Sequence, residues 1–106
     1  MPKYLFHGSY TEEGLKGLLK DGGTKRMEET KKAVESLGGK FESYYFAFGD
    51  NDYYLIADIP ERVSAIAGSL LVNVSGAVNA KITALIDPVE VDQAIEKTMD
   101  WRPPGQ

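Results

Sequence analysis

The sequence has no cysteine, one histidine and one tryptophan. Without cysteine there is no disulfide, no thiolate metal site and no cysteine nucleophile. A single histidine with no cysteine beside it leaves no ordinary zinc ligand set. Basic charge is also scarce: 12 Lys and Arg stand against 16 Asp and Glu, for a net charge of −4, and the basic residues are scattered. Nucleic-acid grooves and anionic membrane surfaces need a basic stripe, so neither is an expected partner. Long apolar runs are missing too. The opening "MPKYLFHGSY" lacks the apolar core of a signal peptide, and no stretch approaches the length that spans a bilayer. The expectation is a cytoplasmic protein, to which the lack of cysteine is suited.

What is present fits one domain over residues 1–106, with 101–106 ("WRPPGQ") as an extended tail. Lys3 to Tyr10 reads as a first strand, aromatic and loosely alternating. Thr11 is placed to cap a helix whose first turn holds Glu12 and Glu13, with Leu15, Leu18 and Leu19 as its buried stripe. Asp21-Gly22-Gly23 breaks that helix, and Thr24 is placed to cap a second one that Gly38-Gly39 ends. Strands follow at Lys40 to Phe48 and Asp52 to Ile59. A helix opened by Pro60 and Glu61 turns Val63, Ile66, Ala67, Leu70 and Leu71 inward, and a fourth strand runs from about Val78 to Ile86. Pro88 then starts a helix with Val91, Ala94, Ile95 and Met99 at helical spacing.

This order predicts an α+β fold of the ferredoxin-like type: βαββαβ plus a C-terminal helix, around a four-stranded antiparallel sheet. The strands carry a further message. An antiparallel sheet with one wet face alternates apolar and polar residues. Here Tyr53, Leu55, Ala57 and Ile59 oppose Tyr54 and Ile56, and Tyr44, Phe46 and Phe48 oppose Phe41, Tyr45 and Ala47. Neither face is built for water, yet the helices of one chain cover only one. A second copy is the simplest cover, so the expected partner is the chain itself, as a homodimer or higher homo-oligomer with sheets face to face.

Between strands two and three lies "YYFAFGDNDYY", with an acidic knot at Gly49-Asp50-Asn51-Asp52. Four turn formers in a row suit a hairpin, with Gly49 taking a positive dihedral. As a cation loop the knot offers Asp50, Asn51 and Asp52 without the distal Glu of an EF-hand. Substrate contact is the remaining reading.

This hairpin, with "SYTEEGLKGLLKDGG", "ESLGGKFESYYFAFG", "VNVSGAV" and "WRPPG", resembles the GYD domain family over nearly the whole chain. Gly49, Asn51 and Asp52 match the Gly-x-Tyr-Asp type of motif, with Asn51 standing where the family name has tyrosine. The resemblance implies a ferredoxin-like subunit similar to dimeric α/β-barrel proteins. It implies no particular reaction.

The one histidine, His7, sits inside the first strand. Its imidazole suits a general base or a haem or metal ligand; equally, it suits a hydrogen-bonded group in a dimer cleft. Pairing Phe48 with Tyr53 across the turn puts Ser43, Tyr45 and Ala47 on one face with Tyr54, Ile56 and Asp58. If Leu5-His7-Ser9 and Lys81-Thr83-Leu85 share that face, His7, Ser9, Tyr45, Tyr54, Lys81 and Thr83 converge between apolar walls. That is the make-up of a small-molecule cavity, and also of a polar dimer interface. "KDGGTKR" puts glycines, Lys25 and Arg26 at a helix start, which suits an anion or simply a helix break; it lacks the Walker spacing. No Gly-x-Ser-x-Gly nucleophile setting is present.

The expected function is small-molecule binding beside the sheet, with cofactor-free proton transfer by His7 and tyrosine as its chemistry. The alternatives are a non-catalytic oligomerisation or regulatory module, and a haem or metal-dependent enzyme built on His7.

Overall fold

The structure is a computed structural model that describes residues 2–106. Its elements are β1 (Lys3–Tyr10), α1 (Glu12–Asp21), α2 (Gly23–Ser36), β2 (Lys40–Phe46), β3 (Tyr53–Asp58), α3 (Arg62–Val74), β4 (Val78–Leu85) and α4 (Pro88–Ile95). The strands form one antiparallel sheet in the order β2-β3-β1-β4. This is the ferredoxin-like α+β arrangement, with its sheet open at both edges.

Local chemistry sets most boundaries. The Thr11 hydroxyl accepts the Gly14 N–H at 3.1 Å and caps α1. Gly22, at φ +86°, turns the chain out of α1 and serves as the N-cap of α2, so Thr24 falls inside the helix and does not cap it. A left-handed dihedral of this kind is open to glycine at no steric cost. At α4 the Asp87 carboxylate accepts the Val89 N–H while the Glu90 side chain accepts the Asp87 N–H, a complete capping box before Pro88.

One face of the sheet is covered. Tyr4, Phe6, Leu55, Ala57 and Ile59 pack with Val34 of α2 and Ala65 of α3 into the core, with Leu37, Phe41, Tyr44 and Ile82 at its margin. Burying a side chain such as Phe6 or Leu55 contributes about 2 kcal/mol. Phe41 reaches this face through a β-bulge: Phe41 pairs with Ala57 but Ser43 pairs with Ile56, leaving Glu42 as the extra residue. Simple alternation puts Phe41 with Tyr45; the bulge reverses it.

The helix stripes differ from their expected packing. Leu15 and Leu19 are exposed, Leu19 at 86%, and so are Val63, Ile66, Leu70 and Leu71. α3 meets the core through Ala65, while Val63, Ile66, Leu70 and Leu71 remain exposed. Every residue from Ile86 to Gln106 is exposed, including Val89, Val91, Ile95, Met99 and Trp101. α4 therefore packs on nothing substantial. The molecule measures 58 × 32 × 23 Å and has a radius of gyration of 17.2 Å, against about 13 Å for a compact chain of this length. The projecting C-terminal arm accounts for the difference.

No helix among the described residues is long and apolar enough to cross a membrane.

Candidate functional site

The face turned away from the helices holds the residues that the alternation grouped. β3 pairs Tyr54 with His7 and Ile56 with Leu5; β4 pairs Lys81 with His7 and Thr83 with Leu5; β2 pairs Tyr45 with Tyr54. Tyr45, Tyr54, His7 and Lys81 thus form one row across all four strands, and Ser43, Ile56, Leu5 and Thr83 form the next. The hairpin itself differs from expectation. Its last pair is Phe46 with Tyr53, not Phe48 with Tyr53. The shift is by two residues, and a period of two leaves each side chain on its face.

His7 is the centre of a hydrogen-bonded cluster. Its Nδ1 is 3.2 Å from Oδ1 of Asn51, and its Nε2 is 3.1 Å from Oγ1 of Thr83. The Asn51 amide nitrogen donates to the Tyr54 hydroxyl at 3.2 Å, and the Tyr54 ring stacks on the imidazole at 6.2 Å between centroids. An amide oxygen only accepts, so Nδ1 carries the proton and Nε2 presents its lone pair to the Thr83 hydroxyl. Tyr54, accepting from Asn51, keeps its own O–H for another partner. Thr83 likewise keeps lone pairs. The arrangement can relay a proton between His7 and a molecule resting on Thr83, because that hydroxyl both donates and accepts.

The other expected residues sit around this cluster without joining it. Lys81 lies opposite His7 and forms no ion pair among the described residues. Ser9 lies opposite Asn79, two residues along the strand, and Tyr45 is 68% exposed beside Tyr54. At the far end of the face, Lys3 pairs with Asp58 at 3.0 Å and with Glu42. The hydrogen bond to Glu42, then that to Asp58, pushes the Lys3 proton affinity up.

The acidic knot is more than a hairpin turn. The Ala47 N–H donates to the Asp52 carbonyl at 2.8 Å, which closes the loop over residues 48–51, one position earlier than expected. The Asp52 N–H donates to the Gly8 carbonyl at 2.7 Å, and the Asp52 carboxylate accepts the Tyr10 N–H at 2.9 Å. These bonds strap the loop to β1 and carry Asn51 over His7. Gly49 does not adopt a positive φ, and a Cβ there would meet nothing within 4 Å. Gly8, by contrast, has a steric reason: an added Cβ would lie 1.7 Å from the Asn79 carbonyl oxygen. No three His, Asp or Glu side chains gather as a metal ligand set among the described residues.

The sequence offered Asn51 as a turn former, as a possible cation ligand in the knot and at the motif's tyrosine position. It carried no sign of the bond to His7, because asparagine in a turn normally bonds to its own backbone. The GYD domain model matches residues 4–95 of the 106-residue chain. The chain belongs to the GYD domain family. Within this GYD domain, the loop that carries the motif is the one strapped over His7. No curated protein and no solved structure matches the chain.

A second feature lies on the covered face, where α2 and α3 stand apart over the sheet. Between them is a cleft of about 380 Å³, lined by Phe6, Val34, Leu37, Leu55, Val72 and Ala80 among its apolar residues. Arg26, Glu29, Thr30, Tyr44 and Tyr53 add polar groups. The hydroxyls of Tyr10 and Tyr44 are 2.7 Å apart, and the ring of Tyr44 stacks on Tyr53 at 5.9 Å. Burial pushes the Tyr10 and Tyr44 hydroxyls up from the usual tyrosine range; burial and then Tyr10 push Tyr53 up to about 12. All three are neutral hydrogen-bonding groups at pH 7. Alternation places Tyr53 on one strand face with Leu55 and Ala57, and Tyr44 on one with Phe46, but carries no sign of the cleft, since the spacing of helices over a sheet leaves no mark in it.

Proposed function

We propose that this GYD domain works as a homodimer joined sheet to sheet, and that it binds a small molecule between the sheets beside His7. The observation that carries the reading is the His7 cluster on a sheet face that no helix covers. Half-buried Leu5 and Ile56 flank the cluster, and leaving the rest of such side chains in water forgoes about 1 kcal/mol each. A second copy would bury them and enclose the polar groups. The exposed α4 arm supports association as well, because a helix of eight residues is marginal by itself in water. Ser9, Tyr45, Tyr54, Lys81 and Thr83 are the proposed ligand contacts, and His7 is the proposed proton acceptor. Its chemistry needs no cofactor: a proton leaves the ligand, passes to Nε2 directly or through the Thr83 hydroxyl, and returns by the same route.

A specific observation favours a second reading, a non-catalytic oligomerisation or regulatory module. Both ring nitrogens of His7 already have partners. In that reading the cluster serves only to order the interface. A haem or a metal ion would need one of those nitrogens released.

Native mass spectrometry of freshly purified protein tests the reading, together with His7→Ala. The expected result is a dimer carrying a bound small molecule that His7→Ala loses while remaining a dimer. A dimer with no ligand, destabilised by His7→Ala, would replace it with the second reading. A monomer would overturn both.

A further inference from the structure

The cleft between α2 and α3 lies on the opposite side of the sheet from His7, and its occupant is a separate question. The cleft is half open to solvent, and its volume of about 380 Å³ between two helices and a sheet is room for a ligand. It lies within the range of small-molecule sites. At a water's share of about 30 Å³, it holds roughly a dozen non-hydrogen atoms.

Its polarity is segregated. Most of the wall is aliphatic or aromatic carbon, from Phe6, Val34, Leu37, Leu55 and Val72. The polar groups gather where the first turns of α2 pass β2. There Arg26 is half-buried and forms no ion pair and no side-chain hydrogen bond among the described residues. Its charge is felt at the hydroxyls of both Tyr10 and Tyr44. Those two hydroxyls share one hydrogen bond. Two phenols have two protons, so one O–H of the pair is left to donate elsewhere. Glu29 also lines the cleft, but its carboxylate is paired with Lys32 at 3.3 Å. An unpaired guanidinium beside a free phenolic O–H is a carboxylate receptor, since both donate to one anionic group. The apolar wall behind them takes a hydrocarbon or aryl chain.

We propose that this cleft binds an amphipathic carboxylate, with its apolar chain between α2 and α3 and its carboxylate on Arg26 and the Tyr44 hydroxyl, whose other partner is Tyr10. The site needs no second copy of the chain and no His7. A medium-chain fatty acid or an arylalkanoic acid has the matching shape.

Calorimetric titration of the full chain with decanoate, and with decanol as its uncharged counterpart, tests this. Decanoate should bind one per chain, at least tenfold more tightly than decanol. Arg26→Gln should erase that difference while leaving thermal melting nearly unchanged, because Arg26 has no partner to lose. Glu29→Gln should hold or strengthen decanoate binding. Ala33→Leu, which fills the cleft from its lining, should abolish binding and keep or raise the melting temperature. His7→Ala should leave decanoate affinity unchanged, which separates this site from the one on the uncovered face. Equal binding of decanoate and decanol, an Arg26→Gln variant that binds like the parent, or no decanoate binding at millimolar concentration would each overturn the proposal. So would loss of binding in His7→Ala.

Discussion

Nδ1 of His7 and Oδ1 of Asn51 stand 3.2 Å apart across 44 positions of sequence. This bond joins the motif loop to the middle of the sheet and fixes which imidazole nitrogen bears the proton. Asn51→Ala should cost about 1 kcal/mol in chemical denaturation, because a half-buried N–H loses its acceptor. It should also release the tautomer. Proton–nitrogen correlation spectra of His7 should show protonated Nδ1 in the parent and a mixture in the variant; an unchanged spectrum would deny Asn51 its orienting role.

The uncovered face should carry the oligomer. Sedimentation at micromolar concentration is expected to give a dimer or larger. Ile56→Glu puts an unpaired charge where the partner would lie, and burying such a charge is costly. The variant should run as a folded monomer. A parent chain that is already monomeric would remove the double-sheet arrangement.

Within the motif loop the residues should rank unequally. Asp50→Ala should alter melting little, and Gly49→Ala should be tolerated, since Gly49 has neither a positive φ nor a close neighbour. Asp52→Ala should cost about 1–2 kcal/mol, because the Tyr10 N–H loses a charged acceptor. Calcium-dependent stabilisation of the parent that disappears in Asp52→Ala would instead make the loop a cation site.

Alkaline pH should unfold the protein through its buried phenols. A tyrosine held above its unfolded value of about 10 favours the folded state while neutral. Its contribution is whole below that pH and is lost as pH rises through the native value, about 12 for Tyr53. Phenolate absorbance should therefore show a late phase coincident with loss of structure. Tyr53→Phe removes one late-ionising group and should move the alkaline midpoint upward; no movement would mean that Tyr53 is not limiting.

The strand faces were legible because alternation survives errors of two. The hairpin was expected to pair Phe48 with Tyr53 and pairs Phe46 instead, yet His7, Tyr45, Tyr54 and Thr83 share one face. An error of one does not survive, and the bulge at Glu42 took Phe41 to the core. Helix stripes were a weaker guide. Leu19, Val63 and Leu70 have helical spacing, but spacing alone does not say whether a surface waits within the same chain. "KDGGTKR" marked Arg26 as a possible anion ligand and the knot marked Asn51 as a possible cation ligand, but the groups each one meets belong to neighbours distant in sequence.

The projecting arm has a thermodynamic consequence. Denaturant sensitivity and the heat capacity of unfolding both scale with the surface that unfolding newly exposes. From Ile86 onward the chain is already solvated in the single subunit, so melting that segment exposes almost nothing. A lone subunit should therefore show an m-value and a heat-capacity change below those of a compact domain of equal length. If copies associate through the arm or the open sheet, both quantities per chain should rise towards the ordinary value. An unfolding titration repeated at two protein concentrations would thus weigh, in calories per kelvin, how much of this chain is finished only in company.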